Sequence, residues 1–149
     1  MIDFTPINTI LQNALSLNED KVWIWSVDEK EVKDEIIKMN TNDQLYELGI
    51  DSKGKSLGEY SPITIIYKRS RGERFDHVTL FDEGDFYESF TVKVNNKGFE
   101  IDADDVKSSD TALFDVYGED VLGLTDENMK YLREIVLERY KKYLYERIF

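Results

Sequence analysis

Cysteine is absent from the 149 residues, and histidine occurs once, as His77. The first absence excludes disulfides, thiolate catalysis, cysteine-based zinc sites and iron–sulfur clusters. The second leaves one imidazole for any acid–base role. Proline is present only as Pro6 and Pro62. No apolar run approaches the roughly 20 residues that a membrane span needs. The opening Met1-Ile2-Asp3-Phe4-Thr5-Pro6 lacks the basic and apolar regions of a signal peptide, so synthesis in the cytoplasm is expected and no membrane partner. Cations are scarce, 19 against 31 acidic residues, a net charge of −12. Such a charge favours solubility and repels nucleic acid and anionic membranes from the molecule as a whole, although clustered cations still permit local DNA contact.

What is present is a globular composition, 41% hydrophobic and 13% aromatic. The length suits one domain, 1–149, able to remove about 70% of the unfolded chain's surface from water.

Thr5-Pro6 has the form of a helix start, a capping hydroxyl followed by proline in the first turn. Ile7, Ile10, Leu11, Ala14 and Leu15 follow at helical spacing, with an exit expected over Leu17–Asp20. Val22-Trp23-Ile24-Trp25 either opens a helix running through Val32, Ile36, Ile37 and Met39 or is a short extended stretch before a helix capped by Ser26 or Asp28. Asn40 to Asp43 is polar and turn-like, and glycines 49, 54 and 58 punctuate a loop. Ser61-Pro62 repeats the helix-start chemistry ahead of Ile63, Ile65, Ile66 and Tyr67, with a strand as the alternative for the β-branched run. Asp82-Glu83-Gly84-Asp85 reads as a turn or a short helix start. Phe90, Val92 and Val94 alternate with polar residues, Asn95-Asn96-Lys97-Gly98 is a hairpin loop, and Phe99 and Ile101 alternate on the return strand. Residues 102–111 read as an acidic loop, and a short helix is expected around Ala112–Tyr117. Thr125 caps a long last helix whose first turn holds Asp126 and Glu127, where the helix dipole favours anions. The expected fold class is α+β: N-terminal helices (1–48), a small antiparallel sheet with a hairpin at about 88–102, and a C-terminal helix at about 126–147.

Few constellations carry chemistry. Asp102, Asp104, Asp105 and Asp110 are the densest acidic group, but they lack the glycine and the closing glutamate of an EF-hand loop, so they read as solvated acid. His77 has Asp76 beside it but no nucleophile to activate, and reads as a surface or interface histidine. Gly49-Ile50-Asp51-Ser52-Lys53-Gly54-Lys55-Ser56 matches the P-loop pattern letter for letter. A phosphate loop needs a buried strand before it and a helix after it, because helix-end amides hold the phosphates. Leu57-Gly58-Glu59-Tyr60-Ser61-Pro62 makes a poor helix start, and Asp51 would sit among the phosphates. No cofactor is expected. Lys68, Arg69, Arg71 and Arg74 form the one reversal of the acidic field. They are candidates for contact with DNA phosphates or an acidic neighbour, or are a solvated helix end.

Taken in order, the middle of the chain resembles a known family. Asp51-Ser52-Lys53-Gly54 precedes Tyr60-Ser61-Pro62-Ile63-Thr64. Lys68 and Gly72 come next, then Leu80, Glu83-Gly84-Asp85-Phe86 and Ser89-Phe90. Tyr117-Gly118 and Leu122-Gly123-Leu124-Thr125-Asp126-Glu127-Asn128 close the series. This order resembles the tailed-phage virion-morphogenesis and tail-completion family, over about residues 49–145. Tyr60, Pro62, Leu80, Gly84, Ser89, Tyr117 and Gly118 carry the likeness. Tyr60 stands where tryptophan is usual, and Glu83 where threonine is usual. The resemblance implies a non-catalytic subunit of a homo-oligomeric ring at the head–tail junction of the virion. Portal, neck or tail proteins would be its partners, and packaged DNA would pass by it. The rival function is an acidic DNA mimic that inhibits a host nucleic-acid enzyme.

Overall fold

The computed structural model describes residues 1–105 and 112–149. The molecule is α+β. Helices α1 (Thr5–Leu15), α2 (Glu19–Val27) and α3 (Lys30–Lys38) lead into a π-helical run, Met39–Leu48. After a loop come α4 (Pro62–Ser70) and a one-turn α5 (Asp85–Glu88). Strands β1 (Thr91–Asn95) and β2 (Gly98–Asp102) form an antiparallel hairpin. Helix α6 (Leu113–Tyr117), a 3₁₀ turn at Glu119–Val121 and α7 (Asp126–Ile148) complete the described chain. The acidic loop expected over 102–111 lies outside the described residues from 106 onward.

Local chemistry sets most boundaries. Ser61 Oγ accepts from Thr64 N–H and Thr125 Oγ1 from Asn128 N–H, each satisfying a helix-start donor. At the first helix the start shifts by one residue: Phe4 is the cap position, Thr5 is already helical, and the carboxylate of Asp3 accepts from Thr5 N–H. Leu17–Asp20 is not merely an exit. Asn18 Oδ1 accepts from Lys21 N–H at 2.9 Å and starts α2, with Glu19 and Asp20 in its first turn. The apolar patch Val22–Trp25 is helical, but α2 and α3 are separate helices, parted at Asp28-Glu29.

The hairpin pairs Val92 with Ile101 and Val94 with Phe99, which puts its apolar residues on one face. Phe90 precedes the first strand. Lys93 bridges the outer face to Asp102 at 3.2 Å. A lone hairpin is marginal in water. Here it packs on α2 and α3, and the Trp23 indole N–H donates to the Asn95 carbonyl at 3.0 Å.

The core joins Val27, Val32, Ile36 and Met39 to Val78, Leu80, Phe86 and Phe90, then to Val92 and Ile101 of the hairpin and to Leu132 and Val136 of α7. Arg139 ties α7 to α2: its Nε donates to the Ser26 carbonyl at 3.0 Å, it pairs with Glu29, and it lies over the Trp25 ring. Two helices stand outside this core. Helix α1 rests on the end of α7 and buries no residue, and the only buried residue of α4 is Lys68.

Asn40–Asp43 corrects the reading of a turn. Asn40, Thr41 and Gln44 are buried in the π-helical run. Asn40 donates to the Val121 carbonyl at 2.9 Å and accepts from Gly123 N–H at 2.8 Å. Gln44 donates to the Gly123 carbonyl and accepts from Thr125 N–H, both at 2.9 Å, and from the Asn128 amide at 2.8 Å. Two amide side chains thus pair with the backbone of 121–125 much as a neighbouring strand would. That satisfies buried groups whose desolvation is otherwise costly. This clamp aims the lead-in to α7. Gly123 (φ +127°) is held closely as well, since a Cβ there would stand 3.0 Å from Ser52 Cβ.

Candidate functional site: uncovered helix faces and the loops beside them

The P-loop-like stretch folds around its own anion. The Asp51 carboxylate is buried, and its Oδ1 accepts from Lys53 N–H and Lys55 N–H, each at 2.9 Å. Ser52 N–H donates to the Asp120 carbonyl, and Leu57 N–H to the Gly49 carbonyl. The amides that a phosphate loop aims at its ligand are spent here on Asp51 and the neighbouring backbone. No helix follows until Pro62, so no helix-end field reaches the loop. The arrangement is a turn whose Lys53 and Lys55 amides are already taken by the Asp51 carboxylate.

His77 is a brace. Its Nε2 lies 2.8 Å from the Tyr46 carbonyl and its Nδ1 3.3 Å from Asp76. Gly49 (φ +61°) ends the π-helical run against it. A Cβ at Gly49 would stand 2.4 Å from the imidazole Cδ2, so only glycine permits both the left-handed turn and the contact.

The basic run is largely neutralised. Lys68, 6% exposed, donates to the Phe81 carbonyl at 2.8 Å and to Glu73 at 3.2 Å, with its ammonium over the Tyr60 ring. Arg71 pairs with Glu73 at 2.9 Å and lies near Asp82. Arg74 donates to Glu47 and Asp76, each at 2.8 Å. These bonds hold the guanidinium proton more tightly than usual, and the Arg74 hydrogen bond holds the Asp76 carboxyl below the ordinary carboxylate range. Arg69 stacks over Phe75 and has no carboxylate partner among the described ion pairs. Of the four, it is the cation most free to meet another molecule.

Of the motif residues, Tyr60 is held in a knot of hydroxyl groups. Tyr60 Oη and Thr79 Oγ1 are 3.0 Å apart, Thr79 N–H donates to Tyr60 Oη, and Tyr87 donates its hydroxyl to the Thr79 carbonyl. Burial pushes the Tyr87 phenol far above its ordinary pKa, and the Tyr117 phenol upward too. Leu80, buried next to this knot, has φ +57°, a conformation that costs a non-glycine residue about 1–3 kcal/mol. Pro62 opens α4, Gly84 precedes α5, and Ser89 Oγ accepts from Asp104 N–H at 2.9 Å. Tyr117 and Gly118 end α6 beside the core. Their described contacts serve packing and turn geometry, and none points a nucleophile at an open cleft. Asp102 of the acidic group pairs with Lys93, and Asp110 lies outside the described residues. Among the described residues no cluster of three or more His, Asp or Glu is disposed to hold a metal, and no helix is long and apolar enough to cross a membrane.

The unusual surface is apolar. On α1 and before it, Phe4, Ile7, Leu11 and Leu15 are exposed at steps of three and four. On α4, Ile63, Ile66 and Tyr67 are exposed at the same steps. Tyr145 and Phe149, rings 5.3 Å apart, extend exposed apolar surface at the far end of α7. Helical spacing predicts a helix over Ile7 to Leu15, and the run from Ile63 reads as helix or strand; among the described residues nothing covers either stripe. Comparison with known proteins gives no further assignment: no family model, no curated protein and no solved structure matches the chain.

Proposed function

We propose that the protein is a non-catalytic assembly subunit, part of a homo-oligomeric ring at the head–tail junction of a tailed phage. The observation that carries an assembly role is the pair of helices, α1 and α4, whose apolar stripes the chain leaves in water. Isolated exposed apolar residues are ordinary, but rows of them at helical spacing mark surfaces that other proteins cover. The loop that imitates a nucleotide site is closed by Asp51, which supports a role without nucleotide chemistry. The phage setting rests on the resemblance of the ordered turn motifs from residue 49 onward. In that setting the acidic surface lets DNA pass without sticking.

Mass spectrometry of purified particles, from a phage whose genome carries this sequence, is the test. The expected result is the chain present in several copies per particle. Its absence from particles, or its isolation in a one-to-one complex with a host nuclease or polymerase, overturns the proposal in favour of a DNA mimic.

A further inference from the structure

Helix α4 is built inside out. It is anchored by a charge, the Lys68 ammonium held by Glu73, the Phe81 carbonyl and the Tyr60 ring, while Ile63, Ile66 and Tyr67 face solvent, Ile63 being 81% exposed. It is also where the chain's charge reverses. Residues 68–74 hold four of the 19 cations and one of the 31 acidic residues. A molecule of net charge −12 repels a copy of itself on most approaches; Lys68, Arg71 and Arg74 are paired within the chain, and Arg69, exposed with no carboxylate partner among the described ion pairs, is the cation whose sign favours contact here.

A complementary surface lies on the same chain. A cleft of about 560 Å³ opens between the end of the π-helical run, the loop at 50–54 and the first turn of α7. Leu48, 61% exposed, and Ile50 supply its apolar part, and Asp43, Asp126 and Glu127 its acidic part. The one cation on its edge, Lys53, pairs with Asp120 at 2.7 Å.

We propose that α4 of one copy docks in this cleft of the next. Ile63, Ile66 and Tyr67 lie against Leu48 and Ile50, and Arg69 faces Asp126 and Glu127. Donor and acceptor are different patches, so the contact is head-to-tail and either closes into a ring or runs on as a filament. The contact rests on the assembly role proposed above and names the surfaces that make it.

The test pairs two defective copies. Ile66→Ser with Arg69→Glu spoils the donor alone, and Leu48→Lys with Glu127→Lys spoils the acceptor alone. All four side chains are exposed, and thermal melts check that both variants stay folded. Analytical ultracentrifugation is expected to give concentration-dependent oligomers for the natural chain, monomers for each variant alone, and a one-to-one heterodimer on mixing, since one good donor and one good acceptor remain. A natural chain that stays monomeric at the highest concentration reached, variants that associate like the natural chain, or a mixture that stays monomeric overturns the contact. Particles that hold the chain while the donor variant still assembles into them sink the contact and leave the assembly role standing. Heterodimers from a chain absent from particles do the reverse.

Discussion

At the scale of single residues, Gln44 carries more than its type suggests. Its amide serves Gly123, Thr125 and Asn128, about 80 positions away in the chain. Removing it leaves buried backbone groups unpaired, and each such group costs about 1–3 kcal/mol. Gln44→Ala is therefore expected to lower stability by roughly 2–4 kcal/mol in urea unfolding, against under about 0.5 kcal/mol for an exposed neighbour such as Asn42→Ala. Tyr87 gives a pH signature. Burial keeps its phenol neutral in the fold, whereas in the unfolded chain it ionises near its ordinary value of 10.0. A raised folded pKa means that the stabilisation is complete below pH 10.0 and is lost as pH climbs above it. Stability measured across that range is expected to fall more steeply for the natural chain than for Tyr87→Phe. Part of the slope remains, because Tyr117 is shifted in the same direction.

At the scale of elements, what was legible in the sequence is what local chemistry decides. The Ser61-Pro62 start, the alternation of the hairpin and the Thr125 cap of α7 all follow from residues within a few positions of one another. Asn40–Asp43 read as a turn because its composition is that of a turn. Its helical state depends on partners at 121–128 that no local pattern reveals. The charged segment was visible as Lys68, Arg69, Arg71 and Arg74, but its neutralisation by Glu47 and Asp82, brought in from other parts of the chain, was not. Periodicity found the apolar stripe of α1 and could not say whether this chain or another covers it. That gap sets up a separation of stability from assembly. Ile7, Leu11 and Leu15 are exposed, so Ile7→Ser, Leu11→Ser and Leu15→Ser are each expected to change stability by less than about 0.5 kcal/mol. The triple variant is nevertheless expected to be under-represented in particles by quantitative mass spectrometry. A large loss of stability would mean that the helix packs on its own chain, and full incorporation would mean that its stripe meets no partner.

At the scale of the whole molecule, the balance of charge bears on how DNA is treated. Affinity for duplex DNA comes mainly from cations that displace counterions from phosphates, and it falls steeply with salt as the number of such contacts grows. This protein has little to offer. Its net charge is −12, and of the four cations in its basic run Lys68, Arg71 and Arg74 already have carboxylate partners. Drawing them to phosphate would break those pairs and uncover Glu47, Glu73 and Asp76 next to the duplex. Arg69 alone supplies too small a salt slope to hold DNA. Fluorescence anisotropy with a short labelled duplex is therefore expected to detect no binding at about 150 mM salt, where the Debye length of about 8 Å screens whatever weak attraction Arg69 exerts. Any association at about 10 mM salt is expected to vanish with Arg69→Glu and to be unchanged by Lys68→Gln. Binding that survives physiological salt would mean that the pairs at Arg71 and Arg74 open on contact. The segment would then be a DNA clamp, and the head-to-tail contact proposed for α4 would compete with it for the same arginine.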